Sequence, residues 1–113
     1  MNYIKYLDET SGISFEVLEV DVEGYDSVDE YFAENPGFMY AGLLSGLHNA
    51  IMMNLNCVPV IIIKGMNNAL LVTEDQYLEK IELCLIYFEK LEEYEFCNHL
   101  ADLKEILKKN ESN

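Results

Sequence analysis

Residues 36–73 read PGFMYAGLLSGLHNAIMMNLNCVPVIIIKGMNNALLVT, and their only formal charge is Lys64. The chain carries 21 Asp and Glu residues, and none falls in this block. Ten lie between Asp8 and Glu34, and eleven lie between Glu74 and Glu111. An unpaired carboxylate is costly to bury, so a carboxylate-free apolar block between acidic flanks reads as a core inside an acidic shell. Its first half has helical character from Met39 to Leu55. Gly42, Gly46 and Ala50 recur every four residues along it, with Leu43, Leu44, Leu47 and Ile51 beside them. Each glycine within a helix costs about 1 kcal/mol against alanine. A close approach by a sheet, or by a second copy, is what such a stripe of small residues permits. The second half, Val58–Ile63, is an unbroken apolar run that reads as a strand buried on both faces.

Working outward, 2–7 and 14–23 alternate as an N-terminal hairpin around the turn Asp8-Glu9-Thr10-Ser11-Gly12. The alternation slips by one at Val17-Leu18, which predicts either a β-bulge or a change of buried face. Ser27 and Glu30 have the spacing of a capping box, so a short helix is expected from Val28 to Glu34, ended by Asn35-Pro36-Gly37. Ala69–Val72 reads as a short returning strand. Thr73 with Gln76 caps the next helix, whose expected buried face is Leu78, Ile81, Leu85, Phe88 and Leu91. The stripe continues through Phe96, Leu100, Leu103 and Leu107. A break near 94–98, with Asn98 capping a last helix to Lys108, is expected because one helix of that length would outrun so small a domain.

These elements define an α+β fold. A small single-layer sheet, made of the N-terminal hairpin plus a central apolar strand, packs against a glycine-containing central helix and C-terminal helices. A length of 113 residues predicts one domain over 1–113, with 110–113 as a disordered tail. Met39-Tyr40-Ala41-Gly42 and Val60-Ile61-Ile62-Ile63 stand in an element order that resembles that of barstar-type nuclease inhibitors. Leu43, Leu44, Ser45 and Gly46 occupy the place of that family's polar and Trp positions, and no terminal strand follows the last helix. No membership is drawn from the order, and no residue role is transferred.

Charge narrows the function. The net charge is −14 and arginine is absent. That repels nucleic acid and anionic membrane and speeds the capture of a basic partner. It also serves simply to keep a protein soluble. Cys57, Cys84 and Cys97 are widely spaced with no C-x-x-C pair, and read as buried thiols in a reducing compartment. MNYIKYLDETSG lacks the apolar stretch of a signal peptide, and no run is long enough for a membrane helix, so a cytoplasmic protein is expected. The sequence holds no nucleotide loop and no nucleophile or zinc motif. His48 has no metal-ligand partner at helical spacing, and His99 has only Asp102 at i+3, in a segment that reads as polar and solvated. No cofactor or metal is expected, and no catalysis.

The expected binding surface is the acidic edge formed by Glu19, Asp21, Glu23, Asp26, Asp29, Glu30 and Glu34, with Tyr25 and Tyr31 between them. Tyrosines in an acidic field suit Arg and Lys of a partner, although a charge run is as readily a solvated face. The reading is a small acidic inhibitor, such as an immunity protein that occludes the basic active site of a toxin or nuclease. The alternatives are a self-associating assembly or host-enzyme inhibitor protein, as a homodimer through Gly42, Gly46 and Ala50 or the C-terminal helix, and an enzyme or small-ligand protein using a tyrosine, His48 and Asn49 in a pocket beside the central helix.

Overall fold

The computed structural model describes residues 1–113 apart from Thr10, Asn67 and Asn113, and describes Glu111 and Ser112 by their backbone alone. β1 (Asn2–Asp8) and β2 (Ile13–Val20) form the expected hairpin, closed by Ser11 Oγ donating to Asp8 Oδ2 at 2.7 Å. Gly12 turns the chain at φ +74, a conformation glycine adopts without penalty. Register runs unbroken from Asn2↔Glu19 to Asp8↔Ile13. The slip at Val17-Leu18 is therefore a change of buried face and not a bulge. β2 is an interior strand, so it buries Phe15 and Val17 on one face and Leu18 and Val20 on the other.

β2 leads through α1 (Val28–Glu34) and α2 (Pro36–Met52) to β3 (Cys57–Ile63), which pairs with it in parallel. β4 (Ala69–Thr73) returns antiparallel, giving a four-stranded sheet in the order β1-β2-β3-β4. Pro36, expected only to end α1, also opens α2, where its missing N–H and fixed φ suit the first helical turn. The bulge of the fold lies in β3. Pro59 pairs with Leu71 and Ile61 with Leu70, leaving Val60 as the extra residue. Val60 and Ile61 consequently both meet α2. A Cβ built on Gly42 would lie 2.5 Å from Ile61 Cγ1 and 2.8 Å from the Val60 carbonyl oxygen. One built on Gly46 would lie 2.4 Å from Val60 Cγ1. The small-residue stripe is thus filled by the chain's own sheet, and the proposed seam between copies through Gly42, Gly46 and Ala50 is closed.

α2 rests on β2 and β3, while the last two helices pack on α2 and on each other. Thr73 and Gln76 form the expected capping box around a 3₁₀ turn, Glu74–Gln76, that leads into α3 (Tyr77–Lys90). α3 buries Tyr77, Ile81, Cys84 and Phe88, whereas Leu78 and Leu91, expected inside, are exposed. The break falls earlier than expected. Glu93 N–H donates to the Phe88 carbonyl and Glu92 N–H to the Glu89 carbonyl, with Glu92 at φ +58. That is a Schellman ending with Glu where glycine is usual, so no glycine marked it. α4 (Tyr94–Ser112) follows at once, and Asn98 lies inside it rather than at a cap. Its buried stripe is Cys97, Leu100, Leu103 and Leu107. Of the expected tail, 110–112 is helical backbone and Asn113 lies outside the described residues. No described helix is long and apolar enough to cross a membrane.

Candidate functional site

The acidic edge leaves the C-terminal end of β2 and wraps over the start of α1. Glu23, Asp26, Asp29 and Glu34 are exposed. Three of the other carboxylates are engaged with the backbone or a neighbouring side chain. Asp21 Oδ1 accepts from Glu23 N–H at 3.0 Å, Glu30 Oε2 from Asp26 N–H at 2.9 Å, and Glu19 Oε1 from Asn2 Nδ2 at 3.0 Å. Ser27 caps α1 by accepting from Glu30 N–H, as its sequence position predicts. Among the described residues no lysine is paired with any carboxylate between Glu16 and Glu34. Two lysines do lie near it, Lys5 across the hairpin from Glu16 and Lys64 with its backbone N–H on the Val20 carbonyl, so the edge is strongly but not wholly acidic.

Tyr31 does not belong to that surface. It is buried against Tyr25, Phe32 and Phe38 with ring centroids 5.0–5.9 Å apart. Burial first, then Tyr25 and Asp21, raises its phenol above the usual value. Tyr25 is half-buried and its hydroxyl accepts from Asn35 Nδ2 at 3.2 Å. The two tyrosines hold the acidic loop on the domain from beneath, with only Tyr25 reaching the surface.

A second feature is assembled by tertiary contact alone. Between α2, the α3–α4 turn and the first residues of β1 lies a groove of about 480 Å³. Leu44, Phe88, Leu91, Phe96, Met1 and Tyr3 supply its apolar lining. His48 and His99 stand in it with Nδ1 of the first 3.0 Å from Nε2 of the second. At that distance one ring N–H can donate to the bare nitrogen of the other, the tautomers setting which ring is the donor. Partial burial against the groove, and then His99, lower the His48 pKa. In the sequence the two histidines are 51 residues apart, and no local spacing could have joined them. Asn49, expected beside His48 in a pocket, instead donates its amide to the Glu16 carbonyl at 3.3 Å and ties α2 to β2.

Among the described residues no three His, Cys, Asp or Glu side chains gather to hold a metal ion. The thiols divide. Cys84 and Cys97 are buried as expected, and burial pushes the Cys84 thiol up to about 12, whereas Cys57 is exposed at the start of β3. No protein-family model, curated protein or solved structure matches the chain.

Proposed function

We propose that this chain is a binding protein that captures a basic protein partner through its acidic edge, in the manner of an immunity protein or inhibitor that occludes a cationic toxin or nuclease. One observation carries the reading. Glu19, Asp21, Glu23, Asp26, Asp29, Glu30 and Glu34 lie within sixteen consecutive residues on one end of the sheet and the adjoining helix, and among the described residues no lysine forms an ion pair with any of them. Such a field raises the rate at which a cationic surface is met and orients it on arrival. A partner that grips an anionic substrate must present lysines and arginines, and an acidic surface can occupy them with no chemistry of its own.

Glu23, Asp26 and Glu34 offer the cleanest test, because their side chains hold no hydrogen bond that supports the fold. Affinity capture with the purified chain, read by mass spectrometry, identifies the partner. The triple variant Glu23→Lys, Asp26→Lys, Glu34→Lys is then compared with wild type by stopped-flow association at low and high salt. The association rate should fall at least about tenfold and lose most of its salt dependence, while the circular-dichroism melt stays within a few degrees. Unchanged association would refute the acidic edge as the capture surface.

A further inference from the structure

The apolar groove beside the acidic edge has a shape and a setting that point to a particular occupant. Its lining positions on α2 are Gly37, Ala41, Leu44, Ser45 and His48. They form one face of the helix over twelve residues, roughly 16 Å end to end at the rise of an α-helix. A trough of that length between helices matches a docked helix whose apolar residues recur every three or four positions. Its floor is exposed: Leu91 is 54% accessible and Phe96 41%. Contiguous apolar surface of this kind, rimmed by charge, marks interaction sites on small proteins.

The rim carries acid on two sides. Gly37 follows Glu34 by three residues. The α3–α4 turn carries Glu92, Glu93 and Glu95, with Glu93 in the lining. A second copy would bring another net charge of −14 against this rim, whereas a segment with Lys or Arg beside its apolar stripe is complementary to it.

We infer that the groove seats the apolar face of a basic amphipathic helix, with its cations on the flanking carboxylates. The inference rests on the acidic-capture reading and adds the anchor that charge alone does not supply. The complex then divides its work. The carboxylates set how fast the partner arrives, and Leu44, Leu91 and Phe96 set how long it stays.

The probe is a fluorescein-labelled synthetic peptide of about five helical turns, roughly 18 residues, with leucines at helical spacing and lysines elsewhere. Its control is a scrambled peptide of the same composition, and binding is read by fluorescence anisotropy. The patterned peptide should bind at least about tenfold more tightly than the scrambled one. Leu91→Asp and Phe96→Asp, made separately, should each weaken it at least about tenfold. Both add negative charge, so simple attraction predicts the opposite. Ile86→Asp, at an exposed apolar site outside the groove, is the matched control and should bind as wild type. Both substituted groove residues are exposed, and the circular-dichroism melt of each variant verifies the fold. Equal binding of patterned and scrambled peptides, or wild-type affinity in both groove variants, overturns the inference. So does a sedimentation dimer that Leu91→Asp dissociates, because the occupant would then be a second copy. If the groove variants bind normally while the Glu23, Asp26, Glu34 reversal abolishes capture, the groove is refuted and acidic capture stands. If the reversal has no effect, the underlying reading itself fails.

Discussion

Replacing Gly42 by alanine tests the closest contact in the fold. In an exposed helix this change would stabilise by about 1 kcal/mol, because alanine loses less backbone entropy. Here the new Cβ would fall 2.5 Å from Ile61 Cγ1, 2.8 Å from the Val60 carbonyl oxygen and 3.0 Å from Ile61 Cδ1. Carbon–carbon contacts are comfortable at about 3.5–4.0 Å. Ile61 could turn aside, but the Val60 carbonyl belongs to the strand and cannot, so α2 must lift from β3 by about 1 Å. A radial gap of that size forfeits a quarter to a half of each dispersion contact it opens, along the line where Leu43, Leu47, Val60 and Ile61 are all buried. Overpacking of this kind costs about 1–3 kcal/mol and occasionally more. Taking the upper part of that range and offsetting it by the propensity gain leaves Gly42→Ala less stable by about 2 kcal/mol. For a chain of 113 residues that lowers the melting temperature by roughly 8 °C. Urea unfolding followed by far-ultraviolet circular dichroism measures it directly, as a lower midpoint at unchanged slope. Gly46→Ala meets chiefly the Val60 side chain, whose Cγ1 lies 2.4 Å away. Its cost should therefore shrink in a Val60→Ala background, as coupling between touching residues requires. A Gly42→Ala protein as stable as wild type, or more so, would refute the close approach of α2 to β3.

Two other outcomes follow from single side chains. The Tyr77 hydroxyl is buried and donates to the Leu55 carbonyl at 2.7 Å. Tyr77→Phe strands that acceptor and should cost about 1–3 kcal/mol in urea unfolding; a change within experimental error would show that Leu55 finds another partner. His48 has a pKa held below its ordinary value by partial burial and by His99, so between the two values the unfolded chain binds the extra proton. That contribution to stability is complete above about pH 6.5 and is lost as pH falls through the folded value. His99→Gln should leave the pH 7.5 midpoint nearly unchanged. It should also reduce the loss that wild type suffers on acidification from about pH 6.5 downward, and NMR titration of the His48 ring should move back toward the ordinary value. Parallel acidification curves for the two proteins would disprove the coupling.

Much of the fold was legible because it is local. Alternation gave the hairpin, Ser27 and Glu30 gave the start of α1, and Thr73 with Gln76 gave the entry to α3. The unbroken run at β3 marked a strand covered on both sides. The misses have two causes, an unusual local turn and contacts between distant segments. The α3–α4 turn closes on Glu92 in a left-handed conformation that glycine usually supplies, held by the bonds from Glu92 and Glu93 back to Glu89 and Phe88. The buried face of α3 rotates toward Tyr77 and Cys84 because α2 and α4 fix its orientation, leaving Leu78 and Leu91 outside. Cys57, expected inside, is exposed at the start of β3. Tyr31, expected on the acidic surface, is instead held in the interior by the aromatic cluster beneath α1.

By itself, the sequence determined the division between a carboxylate-free core and an acidic shell, because desolvating an unpaired carboxylate is prohibitive wherever the chain folds. It also determined that the glycine stripe required a close neighbour, because the helix would otherwise bear the entropy of two glycines uncompensated. Only the tertiary structure decided which neighbour that was. Val60, placed by a bulge on the same side as Ile61, fills the stripe from within the chain. The same docking of α2 fixes where α3 and α4 must lie. It thereby brings His48 to His99 and opens the groove between them, a juxtaposition set by packing across 51 residues and by no pattern within either helix.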